Sequence, residues 1–191
     1  MQDFSFYFGL GWHHIISLDA LDHILFIIVL AAIYIITDWK QVLVLVTAFT
    51  IGHSITLALS VFDIIRFPGK WVEFLIPCTI VITAAANIFQ HNAGTKTVRL
   101  NYYLALFFGL IHGMGFANTI RFILAKDQHI GIGLFAFNVG LEVGQIVIVF
   151  ILLLLAYLFI RLLKVNRREW ILFLSAAVFS LALKMVFERV P

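Results

Sequence analysis

The sequence predicts an all-α membrane protein, a polytopic bundle of about six transmembrane helices preceded by a short interfacial or re-entrant segment. Three observations carry that prediction. Of the 191 residues, 63% are hydrophobic and only 12% are charged. The mean hydropathy is +1.07, more apolar surface than a soluble domain of this length can hide, so the solvent is a bilayer. Six apolar windows, each reaching at least about the 20 residues that a membrane-crossing helix needs, follow one another with polar punctuation between them.

The windows run over about 19–37, 41–62, 71–90, 100–124, 131–163 and 170–187. Their connections are "TDWK", "RFPGK", "HNAGTKTVR", "AKDQH" and "KVNRRE". None is long enough for a soluble domain, so residues 1–191 are expected to form one transmembrane domain. Residues 3–16, "DFSFYFGLGWHHII", are aromatic-rich and uncharged after Asp3, which suits an interfacial or re-entrant piece. The fifth window is too long for one perpendicular span. It either tilts or breaks near Gly131, Gly133 and Gly140. Pro77 is expected to kink the third span.

All four tryptophans, Trp12, Trp39, Trp71 and Trp170, fall at window edges, where indole prefers the interface. The formal net charge is +3, but the basic residues sit singly in short connections. That is the pattern of topology signals, and it argues against a nucleic-acid partner. The cluster in "RLLKVNRRE" favours both termini outside. No Lys or Arg precedes Lys40, so the first segment lacks the basic region of a cleavable signal and is expected to be retained. Cys78 is the lone cysteine and forms no intrachain disulfide.

The chemistry lies in polar residues at membrane depth. Asp19, Asp22 and His23 share one helix face at the head of the first span. His53 and Ser54 sit mid-span in "TAFTIGHSITLALS", with Thr50 a turn before. His112 stands in "FFGLIHGMGFAN", and Asn138, Glu142 and Gln145 form a stripe in "FNVGLEVGQ". An Asp at a helix centre costs about 2.5–3.5 kcal/mol on insertion scales. Such a penalty must be offset by partners, protons, water or a metal ion. His with carboxylate suits Ni²⁺, Co²⁺ or Zn²⁺, and the absence of a Cys pair argues against Cu(I). Asn138 and Gln145 are expected to support the site through hydrogen bonds. Gly109 and Gly113, and Gly140 and Gly144, are each four apart, which suggests close packing of spans four and five. His91 and His129 read as solvated loop residues.

The segments "DHILFIIVL", "FTIGHSITLALS", "VEFLIPCTIVITAAAN", "GLIHGMGFAN" and "FNVGLEVGQ", in this order, resemble the HupE/UreJ family of small integral membrane proteins. The similarity covers about residues 11–160. The resemblance implies nickel or cobalt uptake, with metal contact by Asp22, His23, His53, His112 and Glu142. The family pattern has a histidine six residues before the Asp of its "DH" pair. Ile16 holds that place here, His14 stands two residues further back, and Asp19 belongs to the local variant "LDALDH".

The leading expectation is therefore a divalent-metal permease of the bacterial inner membrane. An outer group of Asp19, Asp22, His23 and His14 would pass Ni²⁺ or Co²⁺ to an inner group of His53, His112 and Glu142. Membrane lipid and the metal ion are the expected partners, with a homo-oligomer or a separate transport partner left open. An intramembrane zinc hydrolase is the alternative, with Glu142 as general base and Ser54 assisting. In a purely structural subunit, the same side chains would only glue helices together.

Overall fold

The computed structural model describes residues 2–17, 20–89, 95–124 and 130–191. Within them lie seven α-helices: α1 Gln2–Ile16, α2 Leu21–Ala31, α3 Trp39–Val61, α4 Gly69–Phe89, α5 Thr95–Leu124, α6 Ile130–Tyr157 and α7 Arg167–Glu188. A 3₁₀ turn, Ile36–Asp38, leads into α3, and a π turn, Leu158–Leu162, extends α6. Among the described residues four stretches are long and apolar enough to cross a membrane: Ile36–Val61, Gly69–Phe89, Ile130–Leu162 and Arg167–Glu188. The pair α1 and α2 passes the same test jointly, which raises the number to five. The expected six spans are thus met in part.

The first window is where the expectation fails. Rather than one span over 19–37, α2 covers only 11 residues, about 16 Å at 1.5 Å per residue, roughly half a bilayer core. The segment before it, expected to be interfacial or re-entrant, is the 15-residue helix α1. The two are bent by 68°, as in a broken span or re-entrant loop. The long fifth window does not break at its glycines: α6 is continuous through Gly131, Gly133 and Gly140. Trp39 and Trp71 are exposed as the interface argument requires, but Trp170 is buried and stacks on Phe159 at 5.2 Å. Trp12 packs towards Gly144.

Glycines fix how the helices cross, and not in the expected pairing. Gly109 and Gly113 of α5 lie against the α3 backbone at Phe49 and His53, while Gly140 of α6 lies against Phe8 of α1. A Cβ on Gly11 would strike Phe137 O and come within 3.0 Å of Leu141 N. A Cβ on Gly109 would strike Phe49 O and come within 3.1 Å of His53 N. The correspondence continues: Gly140 abuts Phe8 O, three before Gly11, and Gly52 abuts Leu106 O, three before Gly109. The α1–α6 crossing therefore repeats the α5–α3 crossing. In both, the partners run the same way past each other.

Helices α3 and α6 run oppositely, since Thr47 meets Glu142 while His53 meets Phe137. It follows that α1 and α5 also oppose each other, so the two crossings lie in opposite directions. The remaining pair, α4 with α7, is antiparallel. Arg168 at the head of α7 holds the carbonyls of Asn87 and Ile88, and Arg189 at its foot reaches Glu73 O. Helix α4 is unbroken at Pro77. Proline has no N–H, so the carbonyl of Glu73 lacks its usual helical donor. Arg189 Nη1 lies 3.5 Å from that oxygen.

Candidate metal centre

Helix α1 ends in His13 and His14, and α2 begins with Asp22 and His23, so the bend between them brings these residues together. His14 and His23 have ring centroids 4.8 Å apart. His53 of α3 is 6.0 Å from His23 and 6.4 Å from His14, and His112 of α5 is 4.9 Å from His23. Because His14 follows Gly11 by three residues and His112 follows Gly109 by three, these two occupy corresponding places in the two crossings. Phenylalanines close the cluster: Phe116 is 4.0 Å from His14, Phe49 is 5.1 Å from His112, and Phe137 stacks on His53 at 6.3 Å.

Two of the rings have their tautomer set from outside. His23 Nδ1 lies 2.9 Å from Asp22 Oδ1, and His112 Nδ1 donates to Phe108 O at 2.8 Å. In each ring this leaves Nε2 with its lone pair free. A ligating histidine usually has this arrangement, its other nitrogen donating to a carboxylate or carbonyl. His14 Nε2, His23 Nε2, His112 Nε2 and both nitrogens of His53 are buried and unpartnered. An unsatisfied buried polar atom costs about 1–3 kcal/mol. Five of them amount to a substantial part of a domain's net stability of roughly 5–15 kcal/mol. Without a ligand the arrangement is wasteful; around a cation it is coherent.

One ligand nitrogen each from His14, His23 and His53 lie within 4.8 Å of one another. With metal–nitrogen bonds of roughly 2.0–2.1 Å, two ligand atoms can be at most about 4.2 Å apart. Small ring rotations would therefore close the set on an ion, with His112 adjacent. Three or four neutral imidazoles suit a borderline divalent ion.

The cluster borders a cavity of about 510 Å³, lined by His13, His14, Asp22, His23, Glu73, His112 and Arg189 among others. Arg189 Nη1 stands 3.3 Å from Asp22 Oδ2, so the carboxylate is shared between His23 and a guanidinium. Asp19 lies outside the described residues, as do His91 and His129. The outer and inner groups expected from sequence do not form separately, since His14, His23, His53 and His112 make one cluster.

Glu142 is elsewhere. It accepts a hydrogen bond from Thr47 Oγ1 at 2.8 Å and lines a second cavity of about 280 Å³ with Thr47, Thr50, Ser54 and Asn138. Gln145 is fully buried and accepts from Thr50 Oγ1 at 2.8 Å. Asn138 faces His53, with Nδ2 donating to Leu134 O at 2.8 Å. Sequence reasoning missed Arg189, Phe116 and Thr47. Thr47 had a signal: with Thr50 and Ser54 it makes an i, i+3, i+7 polar stripe on an apolar helix. Arg189 had none, because 167 positions separate it from Asp22.

No curated protein matches the chain, and no solved structure matches it. A family model described as HupE / UreJ protein does match, over residues 1–189. That range takes in both glycine crossings and all four clustered histidines, so the whole fold is covered: the chain belongs to the HupE/UreJ family.

Proposed function

We propose that this protein carries a divalent transition-metal ion, Ni²⁺ or Co²⁺, across the membrane, with His14, His23, His53 and His112 as the site where the ion rests. The observation that carries the reading is the set of buried, unpartnered ring nitrogens converging from α1, α2, α3 and α5. Membership of a family associated with nickel and cobalt transport supports it. Asp22 orients His23 and supplies the negative charge beside the cation. A carrier must replace hydration and still release its ion, and neutral imidazoles, which bind without neutralising the metal's charge, meet both demands. Residues 1–191 act as one membrane domain in the bacterial inner membrane, with the N-terminus outside.

The zinc-hydrolase reading needs a general base beside the metal. Glu142 and Ser54, the residues it would use, line the other cavity, which favours the permease. The test is uptake of radiolabelled Ni²⁺ into proteoliposomes. Wild type should take up Ni²⁺ and His53→Ala should not. Equal uptake by the two would remove the reading.

A further inference from the structure

The second cavity, between α3 and α6, has a donor inventory that points to a ligand of its own. Five polar side chains line it: Thr47, Thr50 and Ser54 from α3, Asn138 and Glu142 from α6. Each hydroxyl has already committed its proton. Thr47 donates to Glu142 Oε1, Thr50 donates to Gln145 Oε1, and Ser54 donates to Thr50 O at 2.7 Å. Asn138 has directed one amide N–H to Leu134 O, and its side chain also faces His53. What the three hydroxyls and Glu142 still offer is oxygen lone pairs and one carboxylate. Among the described residues no Lys or Arg lines the cavity.

We propose that this cavity is a second cation site, distinct in chemistry from the histidine cluster, and that it takes a hard monovalent ion, Na⁺. All-oxygen donors select hard ions, whereas imidazoles select borderline transition metals. One carboxylate balances one positive charge. A divalent ion there would leave a net charge in an apolar setting whose rim is Ile51, Ile55 and Phe135.

Position supports the assignment independently. With Phe49 corresponding to Phe137 and Gly52 to Gly140, Thr50 corresponds to Asn138 and Ser54 to Glu142. Corresponding positions of the two crossings thus line the same cavity. Inverted halves are the architecture in which secondary transporters place substrate and coupling ions at the interface. Asn138 also faces His53, so one side chain stands between the two sites. The inference goes beyond the metal-carrier reading, because Na⁺ binding can be measured with no transition metal present.

The experiment is equilibrium binding of radiolabelled Na⁺ to the purified full chain in detergent, without nickel, against unlabelled NaCl or choline chloride at equal ionic strength. Saturable binding displaced by NaCl but not by choline is expected. Loss of the charged ligand in Glu142→Gln should weaken it by roughly tenfold or more. Thr47→Val and Ser54→Ala keep the carboxylate and should each weaken it several-fold, which guards against a misfolded Glu142 variant. No saturable binding by wild type, or equal binding by all variants, overturns the proposal. Proton release in place of Na⁺ binding on titrating Glu142 would also overturn it. A protein that binds Na⁺ but carries no nickel would leave this site standing and remove only the metal-carrier reading.

Discussion

Asp22 Oδ1 lies 2.9 Å from Nδ1 of His23, the next residue in the chain, and so turns the ring's Nε2 towards the other histidines. Consecutive side chains on a regular helix diverge by about 100°. The contact works because Asp22 stands in the first turn of α2, where it also accepts the backbone N–H of His23 at 2.9 Å.

Removing that carboxylate should therefore act through the ring. Asp22→Asn keeps the shape but loses the charge-assisted bond to His23. Partners of this kind typically contribute about 10–100-fold in metal affinity, and titration calorimetry with Ni²⁺ on Asp22→Asn should show a loss in that range. Unchanged affinity would mean that His23 needs no orientation from Asp22.

Arg189 should have the opposite sign. Its guanidinium lines the histidine cavity and competes for Asp22. Arg189→Gln removes a positive charge beside an incoming divalent cation, so Ni²⁺ should bind several-fold tighter, and more so at low salt. Weaker binding would show that Arg189 serves to hold Asp22 in place.

Truncating the buried histidines separates ligation from packing. His53 and His112 are both fully buried. His53→Ala and His112→Ala should each lose Ni²⁺ binding by roughly 10-fold or more, as expected when a nitrogen ligand is deleted from a set of three or four. His53→Phe restores bulk without a ligand atom. Recovery of thermal stability without recovery of binding identifies a ligand, and recovery of both would point to packing.

The glycine crossings predict a graded set of stabilities. In Gly11→Ala, Gly52→Ala, Gly109→Ala and Gly140→Ala the new methyl meets a backbone oxygen, and overpacking of this kind costs about 1–3 kcal/mol. Gly9→Ala and Gly131→Ala put the same methyl into open space. They should be neutral or gain up to about 1 kcal/mol from helix propensity. Thermal unfolding in detergent distinguishes the two groups.

Several of these features were legible in the chain itself. Hydropathy alone points to an all-helical membrane protein, because apolar runs of about 20 residues suit helices, which satisfy their own backbone in a bilayer. The histidines, Asp22 and Glu142 stand out for the same reason: a polar side chain in an apolar run is costly, so each one flags a partner to be found. His14 could be named as a candidate, though its register against Asp22 differs from the family pattern. Across the 68° bend between α1 and α2 its ring meets that of His23.

Which partner each polar group found was decided only in three dimensions. A glycine pair announces close approach but not to whom, and here Gly109 chose Phe49 while Gly140 chose Phe8. That choice divides the polar residues in two. His53 and His112 join His14 and His23, while Glu142 and Ser54 line a separate cavity. Residue spacing along one helix sets the face on which a side chain lies. The crossing of helices, set by where backbones can touch, determines what that face meets.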